Sequence, residues 1–147
     1  MGCATSTKPA SRASMPFIHI HSLPFQTPLD VPQVLQALSQ DFALATGTAL
    51  EHVSATWQFL QPGHYAVAGR TAPSQPSDSH PLLVTVLAPD FWPPSRIEQS
   101  LQAVAYSLGE QVPSARNNVF IHHCCAHSGQ VFDGGDIVRW PAPGEPS

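Results

Sequence analysis

The chain contains an internal repeat, and this repeat limits the possible folds more than any other feature of the sequence. Residues 15–59 and 80–125 show the same order of segments: a strand-like run, a proline-rich loop, an apolar pattern with helical spacing, and a second strand-like run. The matching pairs are Pro16 with Pro81, Pro24 with Pro89 and Pro28 with Pro93 at an offset of 65, then Leu35 with Leu101 and Val53 with Val119 at an offset of 66. A shared order of four segments argues against chance matches of single residues.

Each half is predicted to form a βαβ unit. The predicted strands are 17–22, 52–60, 82–88 and 118–125. The apolar positions with helical spacing are Val34, Leu35, Leu38 and Phe42 in the first half, and Ile97, Leu101, Val104 and Leu108 in the second. Asp30 and Ser95 are the expected N-caps of the two helices. Gly47 is expected to end the first helix, and Pro113 prevents the second from continuing.

The fold class predicted from this order is α/β. A helical crossover makes the two strands of each unit parallel and the connection right-handed. Two such units can join into one four-stranded sheet with both helices on one face, which leaves the other face bare. Only 11% of the residues are charged, against about 25% in an average domain. We therefore expect other copies of the chain to cover the bare face.

The composition also argues against several partners and compartments. The net charge is -4 and the six lysine and arginine residues are scattered, so nucleic-acid binding is not expected. The apolar runs are too short to span a membrane, and residues 1–14 lack the apolar core of a signal peptide. The cysteines are odd in number and Cys124 and Cys125 are adjacent, which favours a reducing, cytoplasmic location. A minor alternative is an acylated N-terminus at Gly2 and Cys3.

Three regions are predicted along the chain. Residues 1–14 are rich in Ser, Thr, Ala and Pro, and we expect them to be a disordered leader. Residues 15–140 are expected to form the domain, built from repeats 15–64 and 80–140. Residues 141–147 are expected to be a flexible tail.

The two βαβ halves, the Met-Pro pair that opens the first strand, the "ATG" that ends the first helix and the late strand "NNVFIHH" resemble the tautomerase superfamily. The resemblance covers roughly residues 15–140 and is to the fused two-repeat branch, of the 4-oxalocrotonate tautomerase and macrophage migration inhibitory factor kind, with some cis-3-chloroacrylic acid dehalogenase-like features. It implies a homotrimer whose sheets form a barrel-like core, a small-molecule carboxylate as substrate, and no cofactor. The catalytic device of the family is an N-terminal proline, exposed when the initiator methionine is removed.

Pro16 holds that position only if the mature chain begins there, after removal of Met15. A free α-amino group has an ordinary pKa of about 8, and burial or nearby cations lower this pKa further. Such an amine can remove a proton next to a carbonyl group. In a chain that keeps Met15, the nitrogen of Pro16 is an amide without basicity, and Pro16 is only a proline that opens a strand. We favour Met15 as the functional start, because the repeat pattern begins there.

Four arginines of the domain are candidates for binding a substrate carboxylate: Arg70, Arg96, Arg116 and Arg139. The resemblance implies a substrate-binding arginine at Arg96, after the second proline-rich loop, and Arg96 joins Pro16 in the predicted catalytic set. Phe91 and Trp92 are expected walls of the pocket, while Arg70 and Arg139 are further substrate-binding candidates. Each single arginine also has an ordinary interpretation as a surface residue. Thr48 replaces the lysine that some relatives carry after the first helix, which is a departure from cytokine-type members.

The last long strand carries the remaining candidates. Alternation along a strand sends Phe120, His122 and Cys124 to one face of the sheet and their neighbours to the other. The resemblance places His122 at a polar position of the pocket and Asp133 near a carboxylate that activates water, so both join the catalytic set, and Phe120 joins the substrate-binding set. The alternatives are a hydrogen-bonded strand histidine and a turn aspartate in "FDGGD". No metal site is expected, because adjacent strand residues diverge and CxxC or HxxxH spacing is absent.

The sequence therefore predicts a tautomerase or isomerase that acts on a small 2-oxo or enol carboxylate. A hydratase, dehalogenase or decarboxylase of the same fold is the nearest alternative. A non-catalytic trimeric binding scaffold is the alternative if the leader is retained.

Overall fold

The computed structural model describes residues 15–141, which form one four-stranded sheet with two helices and two small hairpins. In chain order the elements are β1 (Phe17–Ser22), α1 (Val31–Thr46), β2 (Ser54–Phe59), β3 (Ala66–Val67), β4 (Arg70–Thr71), β5 (Leu82–Pro89), α2 (Pro94–Gln111), β6 (Val119–Ala126), β7 (Val131–Asp133) and β8 (Asp136–Val138). The predicted leader with Gly2 and Cys3 and nearly all of the predicted tail lie outside the described residues. Among residues 15–141, no helix has the length and apolar character needed to cross a membrane.

The sheet has the strand order β2-β1-β5-β6. Each repeat contributes one parallel pair: β1 with β2, where Phe17 lies opposite Ser54, and β5 with β6, where Leu82 lies opposite Val119. The two first strands, β1 and β5, pair antiparallel at the centre, with Phe17 opposite Leu87. The two repeats are therefore related by an approximate two-fold rotation, and the predicted α/β class is confirmed.

The helices begin and end for identifiable reasons. The Asp30 carboxylate caps α1 by accepting a backbone N–H of the first turn at 3.2 Å, and Gly47 ends α1 in the left-handed conformation at φ 69°. The predicted N-cap at Ser95 is wrong, because α2 is capped at Pro93 and Pro94 is already helical. Proline has no N–H to satisfy and its fixed φ suits the first helical position, so α2 starts before Ser95.

The pattern of burial shows that equivalent residues of the two repeats are 66 positions apart in the chain. The buried helix positions Val34, Leu38 and Phe42 correspond to the buried Ser100, Val104 and Leu108. The offset of 65 between the prolines fails in the first strands, because it places the fully buried Ile18 on Leu83, which is 37% exposed. Only an even offset superposes the buried faces of two strands. Pro16 therefore corresponds to Leu82, and not to Pro81.

The sheet face opposite the helices is uncovered in the single chain, as the sequence predicts. Four polar side chains form a row across its middle: Thr56, His19, Thr85 and His122. The Nδ1 atom of His19 lies 2.8 Å from the hydroxyl of Thr56. Phe120, in the row beside them, is 60% exposed. This face can bury apolar and polar groups only against another molecule.

Candidate active site

A pocket of about 380 Å³ lies where the end of α1 meets the loop after β5. Its lining comes from residues 15–16, 47–49 and 52 of the first repeat, and from 89, 91–92 and 96 of the second. We call it the Pro16 pocket. It brings together four of the residues predicted from the sequence: Pro16, Phe91, Trp92 and Arg96.

Pro16 is fixed at the entrance to β1. Its side chain is fully buried, and its carbonyl oxygen accepts the backbone N–H of Ser54 at 3.1 Å. In the described chain its nitrogen is acylated by Met15, which is only 6% exposed and packs with Ala126 and Val138. That nitrogen is therefore a tertiary amide as long as Met15 is present, and a secondary amine facing the same pocket once Met15 is gone.

Arg96 is held in the pocket by the end of α1. Its Nε donates to the carbonyl oxygen of Thr46 at 3.0 Å, and a terminal nitrogen donates to the hydroxyl of Thr48 at 3.2 Å. The guanidinium carbon lies 4.1 Å from the centre of the Trp92 ring. Burial lowers the pKa of Arg96 from its ordinary value. The group nevertheless stays a cation at neutral pH, with N–H groups left for an anionic ligand.

Thr48 has a local role that its sequence position alone did not reveal. Its hydroxyl accepts a hydrogen bond from Arg96, at the position where the resemblance implied a lysine. The same hydroxyl lies 2.8 Å from that of Thr46. Thr48 therefore orients the arginine of the other repeat and supplies no cation of its own.

Aromatic rings form one wall of the pocket. Trp92 is 5% exposed and stacks on Phe42 of α1, with 6.3 Å between ring centres. Phe91 is more exposed, and its ring is nearly perpendicular to that of Trp140, with 5.8 Å between ring centres. Such rings exclude water from the pocket and strengthen the electrostatic effect of Arg96 there.

The sequence interpretation missed His52, which lines the same pocket from the 3-10 turn Leu50–His52. It lies two residues before β2, and its half-buried position depends on how that short turn folds. Besides Arg96 it is the only titratable side chain among the lining residues that the structure describes. An imidazole is the side chain best suited to exchange protons near neutral pH. No motif in the sequence pointed to it.

The other predicted site residues lie away from the Pro16 pocket of the single chain. Phe120 and His122 are on the uncovered sheet face, with His122 Nδ1 3.6 Å from the sulfur of Cys124. Asp133 ends β7, Arg70 begins β4, and Arg139 follows β8. Within residues 15–141, no group of three or more His, Cys, Asp or Glu side chains is arranged to hold a metal ion.

Asp90 ties the aromatic wall to the C-terminal segment. Its carboxylate accepts the indole N–H of Trp140 at 2.8 Å and lies 3.0 Å from Nδ1 of His127. The Trp140 hydrogen bond, followed by the contact with His127, holds the pKa of Asp90 below its usual value, although burial acts in the opposite direction. Because Phe91 follows Asp90 directly and contacts Trp140, this carboxylate fixes one edge of the pocket.

We predict that Asp90→Asn removes a pH-dependent part of the stability. A lowered folded-state pKa stabilises the chain above the unfolded-state pKa, near 3.8, and this contribution is lost as the pH falls through the folded-state pKa. Urea unfolding measures the free energy of unfolding of the unsubstituted chain and of Asp90→Asn. The two values should differ more at pH 7 than at pH 3. Asp78→Asn, at an exposed position, is the matched control. An equal difference at both pH values for Asp90→Asn would contradict the prediction.

Solved structures of low sequence identity share this fold. Pt0534, solved after inactivation by 2-oxo-3-pentynoate, is 16% identical with a TM-score of 0.71, over 83% of this chain and 94% of that chain. A symmetric trimer of fused 4-OT is 17% identical with a TM-score of 0.70, over 84% and 95% of the two chains. N1, of the cis-3-chloroacrylic acid dehalogenase family, is 14% identical with a TM-score of 0.69, over 88% and 86%.

No protein-family model matches the sequence, and no curated protein does. The structural likeness is nevertheless consistent across these proteins, and it covers both repeats. The chain therefore shares the fold of Pt0534, fused 4-OT and N1, and the fold that the resemblance predicted is confirmed.

Proposed function

We propose that the chain is a tautomerase-superfamily enzyme that moves a proton on a small 2-oxo or enol carboxylate, with the Pro16 amine as acid and base after removal of Met15. One observation carries the proposal: Pro16 and Arg96 come from different repeats and line the same pocket. A proton-transfer group and a cation for a carboxylate are the two functions that this reaction requires.

The chemistry follows from the groups in the pocket. The apolar surroundings and the Arg96 cation disfavour the protonated amine, so a free Pro16 nitrogen is largely neutral and able to accept a proton at neutral pH. Arg96 holds the substrate carboxylate and stabilises negative charge as the enolate forms. The enol oxygen loses a proton as its C–O bond becomes a carbonyl, and the carbon at the other end of the former C=C bond gains one. His52 lines the pocket and is placed to take part in this exchange.

We further propose that the active form is a homotrimer. The uncovered sheet face carries Phe120 and Leu83 exposed, and fused 4-OT is a trimer in its solved structures. In a trimer with these faces inside, His122, Phe120, Asp133, Arg70 and Arg139 of a neighbouring copy are the candidates to complete the pocket. Sedimentation of the purified chain at two concentrations tests this assembly.

Two alternatives have specific support. The likeness to N1 of the cis-3-chloroacrylic acid dehalogenase family favours addition of water to an unsaturated acid, with hydratase, dehalogenase and decarboxylase variants. The Met15–Pro16 amide of the described chain favours a non-catalytic binding scaffold, because an acylated nitrogen has no basicity.

The proposal is tested with a chain that begins at Pro16. Phenylenolpyruvate and 2-hydroxymuconate are added separately, and the loss of enol absorbance is followed against buffer alone. We expect ketonisation of at least one of them well above the uncatalysed rate. Buffer-level rates for both, in a protein whose mass confirms the Pro16 start, would contradict the tautomerase proposal.

We predict that Arg96→Ala lowers kcat/KM for an enol carboxylate by about 10- to 100-fold, since a charge-assisted hydrogen bond contributes about 1.5–3 kcal/mol. The methyl ester of the same substrate should be affected far less, because it lacks the anion. Arg116→Ala is the control, as Arg116 forms an exposed ion pair with Glu110 at 3.0 Å. A similar loss for acid and ester would show that Arg96 does not bind the carboxylate.

A further inference from the structure

A second pocket, of about 690 Å³, lies at the position that the approximate two-fold rotation between the repeats relates to the Pro16 pocket. It is formed by the loop after β1 (25–29), the segment that joins the repeats (72–77) and the end of α2 (111–114). The Pro16 pocket is built in the same way, from the loop after β5 and the end of α1. A volume of this size lies within the range of about 300–1,000 Å³ typical of small-molecule sites.

The two pockets share equivalent positions. At the offset of 66, four pairs of lining residues correspond: Phe25 with Phe91, Gln26 with Trp92, Pro113 with Gly47, and Ser114 with Thr48. The second pocket is therefore the counterpart of the Pro16 pocket within one chain, and it differs from it in chemistry.

The two pockets differ in the charge of the side chains that line them. The residue equivalent to Arg96 is Asp30, and its carboxylate caps α1 and does not line the second pocket. Among the described residues that form this pocket, none has a charged side chain; they are apolar residues and prolines interspersed with serine, threonine and glutamine. An anion placed here would lose water without gaining a counter-charge, which is costly. The lining instead suits an uncharged molecule with an apolar body and a polar end.

The segment that joins the repeats forms one wall of the second pocket, and side-chain and backbone hydrogen bonds hold it in place. Asn118, the equivalent of His52, donates to the carbonyl oxygens of Pro76 and Ser79 at 3.1 and 2.8 Å. The backbone N–H of Gln75 donates to the carbonyl oxygen of Pro24 at 2.7 Å. The linking segment is thus pinned between the two repeats, and the pocket is formed before any ligand arrives.

We propose that the second pocket binds a small uncharged molecule with an aromatic or apolar body and one hydrogen-bonding group, independently of Arg96. Phe25 and the surrounding prolines would contact the apolar body. The hydroxyl and amide groups of Ser74, Ser114 and Gln26 would bond the polar end.

A matched pair of probes separates this site from the Pro16 pocket. The ¹⁵N-labelled full chain is titrated with 3-phenylpropanamide and with 3-phenylpropanoate, which share one carbon skeleton and differ in charge. We expect the amide to shift the backbone N–H signals of Phe25, Ser74 and Ser114, with the same Kd in Arg96→Ala. The carboxylate should leave these three signals unchanged.

Variants then test the location. Ser114→Trp places a ring in the second pocket and should weaken binding of the amide at least 10-fold, whereas Gln61→Trp, at an exposed position outside both pockets, should not. Ser74→Trp replaces the first variant if that one loses the native spectrum. The proposal is overturned if the amide shifts only Thr48 and Arg96, if both probes shift the second pocket equally, or if no signal moves up to about 10 mM.

Discussion

A chain that begins at Pro16 is expected to convert an enol carboxylate about 100- to 10,000-fold faster than a chain that retains residues 1–15. General acid–base catalysis contributes about 10²- to 10⁴-fold, and the amide nitrogen of an internal proline can supply none of it. The prediction depends on the proposed role of Pro16, whose nitrogen is bonded to Met15 in the described chain and lines the same pocket as Arg96. Initial rates of ketonisation for the two proteins measure the difference directly.

Three controls make this comparison specific. Intact mass identifies the first residue of each protein, so that partial processing of the longer chain is detected. Thermal unfolding shows whether both are folded, because loss of Met15 also removes packing against Ala126 and Val138. Pro16→Ala in the short chain keeps an amine but loses the ring that fixes its position, and should have intermediate activity. Equal rates with residues 1–15 intact would exclude the Pro16 nitrogen as the base.

Much of the fold follows from the sequence because the repeat and the apolar periodicities agree. The strand limits differ from the predicted ones by two residues or fewer, and Gly47 ends α1 as expected. The alignment of prolines gave the wrong residue correspondence between the first strands of the two repeats. Prolines mark loops, and a loop can accept an extra residue, whereas an extra residue in a strand moves its side chains to the opposite face. Burial, which alternates along β1 and β5, fixes the offset at 66 where the prolines suggested 65.

The candidate site was only partly predictable, for two physical reasons. Arg96 was predicted from the resemblance, by its place after the second proline-rich loop, and Phe91 and Trp92 because they lie in the same short segment; all three line the Pro16 pocket. His52 was missed because a three-residue turn, which carries no periodic pattern, brings it to the pocket. His122 followed the predicted alternation along its strand, and that same alternation places it on the uncovered face of the sheet. Whether it meets a Pro16 pocket is a property of the assembly and not of one chain.

Phe42→Ala is expected to lower the free energy of unfolding by about 3–5 kcal/mol, the usual cost of removing a fully buried aromatic side chain. Phe42 is 0% exposed, and its ring stacks on Trp92 at 6.3 Å, so the cavity opens directly behind the pocket wall. The guanidinium carbon of Arg96 lies 4.1 Å from the centre of the Trp92 ring. The substitution should therefore also change the near-ultraviolet signal of the tryptophans and weaken carboxylate binding by several-fold.

Urea unfolding at pH 7 measures the stability change, with Leu44→Ala as the control in the same helix. Leu44 is 84% exposed, and its truncation should cost less than about 0.5 kcal/mol. A matched loss for the two variants would show that Phe42 is not packed as described. A large loss of stability in Phe42→Ala with unchanged carboxylate affinity would contradict the predicted link between core packing and the site. The hydrogen bonds of Arg96 to Thr46 and Thr48 would then hold the guanidinium without support from Trp92.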